Sequence, residues 1–278
     1  MTVTDAVAKA VGKLEAAGFG DSLWQARVLV AHILSMKPAQ LYAADNRQLT
    51  LSDQIKYFVL LNRRLSGMPL QHVIGEWDFY GRTFNVDKRA LVPRPETELL
   101  VSFIISSKLP EQPVIADVGT GSGIIGISLA LEIPGSQVTG TDISTDALEL
   151  AEENRKLLSA HNYSVVNCNL TDALTEKYDV IVANLPYIPT GDIPVLQPEV
   201  RNYDPAVALD GGGDGTLYIL ELAKKASEKL KPGGLIVLET GDDQKNTVSS
   251  FFSDDLWTEV RNHRDLAGKH RMVTARRR

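Results

Sequence analysis

Residues 114–123 read Val-Ile-Ala-Asp-Val-Gly-Thr-Gly-Ser-Gly, a short apolar run rich in β-branched residues that breaks into three alternating glycines. Such a run bounded by glycine predicts a buried strand ending in a tight turn, and glycine there also lets a ligand approach the backbone closely. A helix is expected from Ile124, its first N–H groups free to meet that ligand. The same alternation continues outward. Gln137–Asp142 predicts a second strand and Thr145 the start of its helix; strands are also expected over 164–167, 178–184 and 235–240, with a helix from about Gly215. Short apolar strands alternating with amphipathic helices predict an α/β domain with a mostly parallel sheet covered on both faces. Ligands of such sheets bind beyond the carboxyl ends of the strands, so chemistry is to be sought there.

Upstream the period changes. Over 71–92 aromatic and β-branched residues around Gly81 predict a β-hairpin linker, and the acidic stretch after Pro93 suits the opening of a helix near its positive end. Residues 1–70 predict a small helical bundle, expected to bind or position a partner, and 93–278 the catalytic domain. In the bundle, Val7, Val11 and Leu14 are expected to face inward from the first helix and Trp24, Val28 and Leu29 from the second. Pro38 is placed in the first turn of a third helix, and Ser52 or Asp53 at the cap of a fourth carrying Ile55, Phe58, Val59 and Leu65.

Composition narrows the class. With 44% hydrophobic and 23% charged residues the chain can bury a core, which excludes disorder, collagen and coiled coil. No stretch approaches the ~18 uninterrupted apolar residues of a membrane span, and the acidic start lacks the features of a secretory signal, so a cytoplasmic protein without a membrane partner is expected. Cys168, the single cysteine, cannot form an internal disulfide; it is expected as a packed strand residue, and no metal is anticipated. The net charge of −6 argues against stable binding of nucleic acid. It is uneven: residues 1–75 carry eight Lys/Arg and five Asp/Glu, the remainder 21 and 30. Arg276, Arg277 and Arg278 read as a solvated tail.

Two motifs carry chemistry. The first is the glycine turn Gly119, Thr120, Gly121, Ser122, Gly123 after Asp117, with Asp142 at the tip of the next strand. A carboxylate at that tip accepts hydrogen bonds from a ribose diol, in a nicotinamide dinucleotide as well as in S-adenosylmethionine. The glycines begin immediately after the strand and resemble the cofactor loop of Rossmann-like methyltransferases, whereas no hydride-transfer partner is evident for an oxidoreductase. The second motif is Asn184, Leu185, Pro186, Tyr187 at the tip of the strand over 178–184. It resembles the (Asn/Asp/Ser)-Pro-Pro-(Tyr/Phe) site of enzymes that methylate a nitrogen conjugated to a π system. An amide nitrogen has a delocalised lone pair, so both N–H bonds need acceptors that turn the lone pair toward the methyl donor. The Asn184 side-chain oxygen and the Leu185 carbonyl can serve, with Tyr187 packed on the planar group.

With these motifs in order, the chain resembles the protein-(glutamine-N5) methyltransferases that act on peptide chain release factors. The resemblance runs through 91–101, 117–123, 141–144, 184–189, 204–215, 230–244 and 264–271. It implies a Rossmann-like sheet with a helical amino-terminal domain and S-adenosylmethionine as cofactor, S-adenosylhomocysteine as product. The implied substrate is the glutamine amide of the release factors' Gly-Gly-Gln loop. By the same resemblance Asp117, Gly119, Thr120, Gly121, Ser122, Gly123, Asp142 and Asn184 would contact the cofactor, and Asn184, Leu185, Pro186 and Tyr187 the glutamine. Leu185 stands where the family usually has a proline, as in ribosomal-RNA adenine dimethyltransferases; Asn169 and Leu170 stand where an acid and an aromatic residue usually meet the adenine, and Asp204 replaces a glutamate. A nucleic-acid adenine methyltransferase is the alternative, disfavoured by the acidic catalytic half; glutamine methylation of a ribosomal protein is the nearest variant.

Overall fold

The computed structural model describes residues 1–278. The chain runs through α1 (Val3–Ala16), α2 (Ser22–Ile33), α3 (Leu51–Leu65), α4 (Leu70–Ile74), β1 (Glu76–Phe79), β2 (Arg82–Asn85), α5 (Glu98–Ser106), β3 (Val114–Val118), α6 (Ile124–Glu132) and β4 (Gln137–Asp142). It continues with α7 (Thr145–Leu157), β5 (Tyr163–Asn167), β6 (Tyr178–Ala183), α8 (Pro198–Tyr203), α9 (Leu217–Lys229), β7 (Leu230–Glu239), α10 (Lys245–Ser250), β8 (Trp257–Arg264) and β9 (His270–Arg277). Two units form: Met1–Glu76 with Pro198–Tyr203, and Trp77–Gln197 with Asp204–Arg278. The chain therefore returns to the helical unit once, at α8, in the middle of the sheet unit's sequence.

In the helical unit the inward faces differ from the expected ones. Ala6, Ala10 and Leu14 of α1 are buried while Val7 and Val11 are only half-buried, because small alanines let α1 pack closely on α2. In α2 the buried stripe is Gln25, Ala26, Leu29, Val30 and Ile33, and Trp24 is 49% exposed on the other side. Pro38 opens a 3-10 turn (Pro38–Ala43) rather than a full helix. The cap of α3 is Thr50, whose hydroxyl accepts from the Asp53 amide while Asp53 answers the Thr50 amide, so Asp53 is the third residue of a capping box. Tyr57, Leu61 and Arg64 face inward from α3, and Ile55, Phe58 and Val59 are exposed.

Arg64 is the buried hub of this unit. Its Nε donates to Gln25 at 2.6 Å and its Nη1 to the Met68 carbonyl at 2.8 Å; the guanidinium stacks 4.1 Å from the Phe19 ring centre and pairs with Glu199 of α8 at 2.8 Å. Alanine at 64 would leave the buried Gln25 oxygen and Met68 carbonyl unanswered and remove the anchor of α8. The expected result is a loss of about 3 kcal/mol or more in the unfolding free energy of this unit, read as an earlier urea midpoint.

The sheet unit opens with the β1–β2 hairpin, turned by Tyr80 and Gly81, both at positive φ (48° and 73°), which matches the twist of paired strands. Its seven-stranded sheet has the order β5-β4-β3-β6-β7-β9-β8. The first five of these pair in parallel; β9 joins β7, and β8 joins β9, antiparallel. This corrects the expected tail: Arg276 and Arg277 lie in β9, Arg276 bonding the Gly233 carbonyl. Cys168 falls just after β5 and is only partly buried, its Sγ turned to the Leu170 carbonyl. Successive strand residues alternate between two cores, as pleating requires. Ile115, Val180, Val182 and Val237 pack with α5 and α6 on one face; Ala116, Ile181, Ala183 and Leu238 pack with α9 and Phe252 on the other. No helix is long and apolar enough to cross a membrane.

Candidate active site

Strand pairing sets the site. β3 lies between β4 and β6, with Val118 level with Thr141 on one side and Ala183 on the other. Gly119, Asp142 and Asn184 therefore emerge side by side at the carboxyl edge, where the strand order reverses. They line a partly open cleft that encloses about 130 Å³, and Asn169, Leu170, Leu185 and Pro186 line it too.

The glycine turn divides into a face and a foundation. Gly119 and Gly121 line the cleft at φ 71° and 57°. The amides of Gly119 and Thr120 both donate to the Thr141 carbonyl at 2.8 Å, folding the turn across β4. Asp117, Thr120, Ser122 and Gly123 do not line the cleft. Asp117 is fully buried; its Oδ2 accepts the Thr120 hydroxyl and the Gly126 amide, and its Oδ1 has no partner. Burial pushes its carboxyl up to about 6, against the pull of those two donors. Thr120 also meets the Tyr163 hydroxyl at 2.8 Å, and Gly123 caps α6 so tightly that a Cβ would stand 2.8 Å from Ile127 Cδ1. These four residues shape the turn from beneath.

Asp142 is fixed by two backbone amides. Its Oδ2 accepts the Gly121 amide and its Oδ1 the Ser144 amide, each at 2.9 Å. Burial raises its pKa while those amides oppose the shift, and each oxygen keeps a second lone pair for a ligand hydroxyl. Beside it Ile143, 61% exposed, gives the cleft an apolar wall.

On the other side the tetrapeptide rests on a buried relay. Asn184 Nδ2 donates to Thr97 Oγ1 at 3.2 Å, Thr97 Oγ1 donates to Glu239 Oε2 at 2.7 Å, and the Tyr187 hydroxyl donates to Glu239 Oε1 at 3.3 Å. Tyr187 stands outside the cleft wall, its carbonyl fixed by Gln244 Nε2 at 2.8 Å. Burial pushes the Glu239 carboxyl up to about 7, with Thr97, Tyr187 and Arg271 pulling it back. Sequence reasoning missed Thr97 and Glu239. The signal for Glu239 was a lone carboxylate closing the apolar run Leu235–Leu238; for Thr97 it was only its place in the stretch 91–101 through which the resemblance runs. Asp204 is buried too, taking the Arg94 guanidinium at 2.9 Å and the Val92 amide at 3.3 Å, which ties residues 92–94 to the segment after α8.

Residues 5–75 match the PrmC N-terminal domain and residues 95–194 the Methyltransferase small domain. The release factor glutamine methyltransferase of Bradyrhizobium diazoefficiens is 37% identical over 95% of this chain and 91% of its own length; that of Deinococcus radiodurans is 36% identical over 100% and 99%. This chain belongs to the release factor glutamine methyltransferase family. Among solved structures, a Pyrococcus furiosus methyltransferase superposes with a TM-score of 0.55 at 19% identity, covering 81% of this chain and 98% of its own. The Thermus thermophilus 16S rRNA N2 G1207 methyltransferase, solved with AdoMet and guanosine, gives 0.52 at 17% identity over 73% and 50%; both likenesses establish the methyltransferase fold.

Proposed function

We propose that this chain methylates the side-chain amide nitrogen of the glutamine in the Gly-Gly-Gln loop of peptide chain release factors, using S-adenosylmethionine and leaving S-adenosylhomocysteine. The observation that carries this reading is the contact between the two motifs: a Cβ at Gly119 would stand 2.9 Å from Leu185 Cδ2, so cofactor turn and amide-gripping tetrapeptide share one wall. The cleft fits the cofactor's chemistry. Asp142 has lone pairs left for a ribose diol, Ile143 and Leu170 offer apolar surface to a purine, and Asn169 can accept from its amino group. Asp117, with its unpaired Oδ1, acts from beneath the turn.

When bound, S-adenosylmethionine supplies a methyl group on positively charged sulfur; the amide nitrogen takes it as the carbon–sulfur bond breaks, the electron pair stays on sulfur and an N–H proton leaves to water or a carbonyl. The chain's own task is positioning. Asn184 Oδ1 takes one N–H of the carboxamide and the Leu185 carbonyl the other, while the apolar wall excludes water. The family names support a release factor as substrate, and the surplus of acid over residues 76–278 disfavours a phosphate backbone. The amino-terminal unit, with its surplus of basic residues, is assigned the reception of the folded release factor, a cytoplasmic partner. Incubation with methyl-labelled S-adenosylmethionine, candidate release factors and ribosomal RNA, followed by mapping, tests the reading. Label is expected on the Gly-Gly-Gln glutamine; label confined to RNA would overturn it.

A further inference from the structure

Thr97 lies immediately before α5 and is 1% exposed; Glu239 ends β7 and is 2% exposed. A buried hydroxyl has one proton to give. Here that proton goes to Glu239 Oε2, so Thr97 meets Asn184 with a lone pair, which only the NH2 end of the amide can answer. Turned over, Asn184 would set its oxygen against that lone pair, or would draw the Thr97 proton away and leave a buried carboxyl oxygen unpaired. As it stands, Nδ2 is occupied and Oδ1 has no partner within the chain, at a residue that lines the cleft.

We infer that Thr97, fixed by Glu239, is a positioning residue that locks the Asn184 amide with its oxygen toward the substrate, so that the cleft selects a carboxamide over a carboxylate. The inference rests on the functional reading above and adds its specificity. A glutamine amide brings two donors to an acceptor; a glutamate in its place would set a negative charge against the same oxygen, and nothing in the relay lets Asn184 turn to offer a donor instead. Arg271, Glu96 and the Tyr187 hydroxyl are the other groups whose charge or hydrogen bonding acts on the Glu239 carboxyl. A proton gained by that carboxyl can sit on Oε1, toward the Tyr187 oxygen, leaving Oε2 to accept from Thr97 as before.

The test uses the full chain with an intact release factor and with one whose Gly-Gly-Gln glutamine is changed to glutamate. Thr97→Val keeps the shape and removes the hydroxyl, freeing Asn184 to rotate: kcat is expected to fall about 100-fold with cofactor Kd nearly that of wild type, while Tm drops because Glu239 Oε2 loses its donor. Thr97→Ser restores the relay and should stay within about threefold of wild type. Glu239→Gln can still turn its oxygen to Thr97 and its NH2 to Tyr187, so it too should remain active, whereas Glu239→Leu, with no acceptor, should follow Thr97→Val. The glutamate release factor should inhibit Thr97→Val at least about tenfold better, relative to wild type, than it inhibits the wild-type enzyme. Wild-type kcat in Thr97→Val, or an unchanged preference for amide over carboxylate, overturns the inference. Should Thr97→Val not fold, the Glu239→Gln and Glu239→Leu pair decides by the same readouts. Wild-type labelling of the glutamine separates the two failures: without it the functional reading falls and takes this inference with it, and with it the relay alone is judged.

Discussion

Replacing Asn184 with alanine is expected to reduce kcat about 10³-fold while cofactor affinity stays within a few-fold of wild type. The amide nitrogen of glutamine is a weak nucleophile because its lone pair is shared with the carbonyl. Alanine removes the one side-chain acceptor at the tip of β6, and the carboxamide is then held by a single N–H and can rotate its lone pair away from the line of transfer. Loss of one preorganised hydrogen bond at a reacting centre costs 10² to 10³ in rate in comparable sites, and the misalignment adds to it. On the proposed reading the cofactor meets other parts of the cleft, the Gly119 and Gly121 backbone and the Asp142 carboxylate, which this substitution leaves in place. Single-turnover transfer of labelled methyl, read beside calorimetric titration of S-adenosylmethionine, separates the two quantities. Unchanged turnover would remove Asn184 from the mechanism. Asn184→Asp is the informative companion: it keeps an acceptor toward the substrate but sets a second acceptor on the Thr97 hydroxyl already committed to Glu239, so it should fall between alanine and wild type.

The sheet was legible in the sequence because its signals are local. β3 and β4 fall on the expected residues, and α6 and α7 start where glycine or serine caps them, since short runs of β-branched residues broken by a turn mark each strand and its helix follows at once. The helical unit was less legible for the opposite reason. Both α2 and α3 carry more apolar residues than one inward face can hold, and Trp24, Ile55, Phe58 and Val59 are the surplus that solvent receives. No local pattern announced that β8 and β9 would extend the sheet antiparallel, because that pairing depends on the edge β7 offers from far back in the chain.

The site divides along the same line. The residues at strand tips, Gly119, Asp142 and Asn184, could be named from the sequence, because parallel pairing delivers strand ends to one edge. Asp117, Thr120, Ser122 and Gly123, expected at the ligand, do not line the cleft and sit beneath the turn, and the sequence does not say which residues of a glycine-rich turn face outward. Thr97 and Glu239 stand 142 positions apart and meet only through packing, out of reach of any spacing argument.

Gly119→Ala is expected to weaken S-adenosylmethionine binding about 100-fold, and to carry methylation down with it. Two costs meet at this residue. Its φ of 71° lies in the left-handed region, where a side chain costs roughly 1–2 kcal/mol. Its new Cβ would also stand 2.9 Å from Leu185 Cδ2, the far end of a side chain that is itself packed among Val118, Ala183 and their neighbours and has little room to turn away. The turn must then lift off the tetrapeptide, which opens the wall shared by cofactor and carboxamide. Gly121→Ala is the control, since its φ of 57° carries the same backbone strain but its Cβ meets only Ala90 Cβ at an ordinary 3.7 Å. The excess loss in Gly119→Ala over Gly121→Ala therefore measures the contact with Leu185. Adding Leu185→Ala should recover part of that excess, a favourable coupling of about 1 kcal/mol in a double-mutant cycle read by calorimetric titration. Equal losses in the two glycine variants, or strict additivity with Leu185→Ala, would mean that the two motifs do not act through their shared wall.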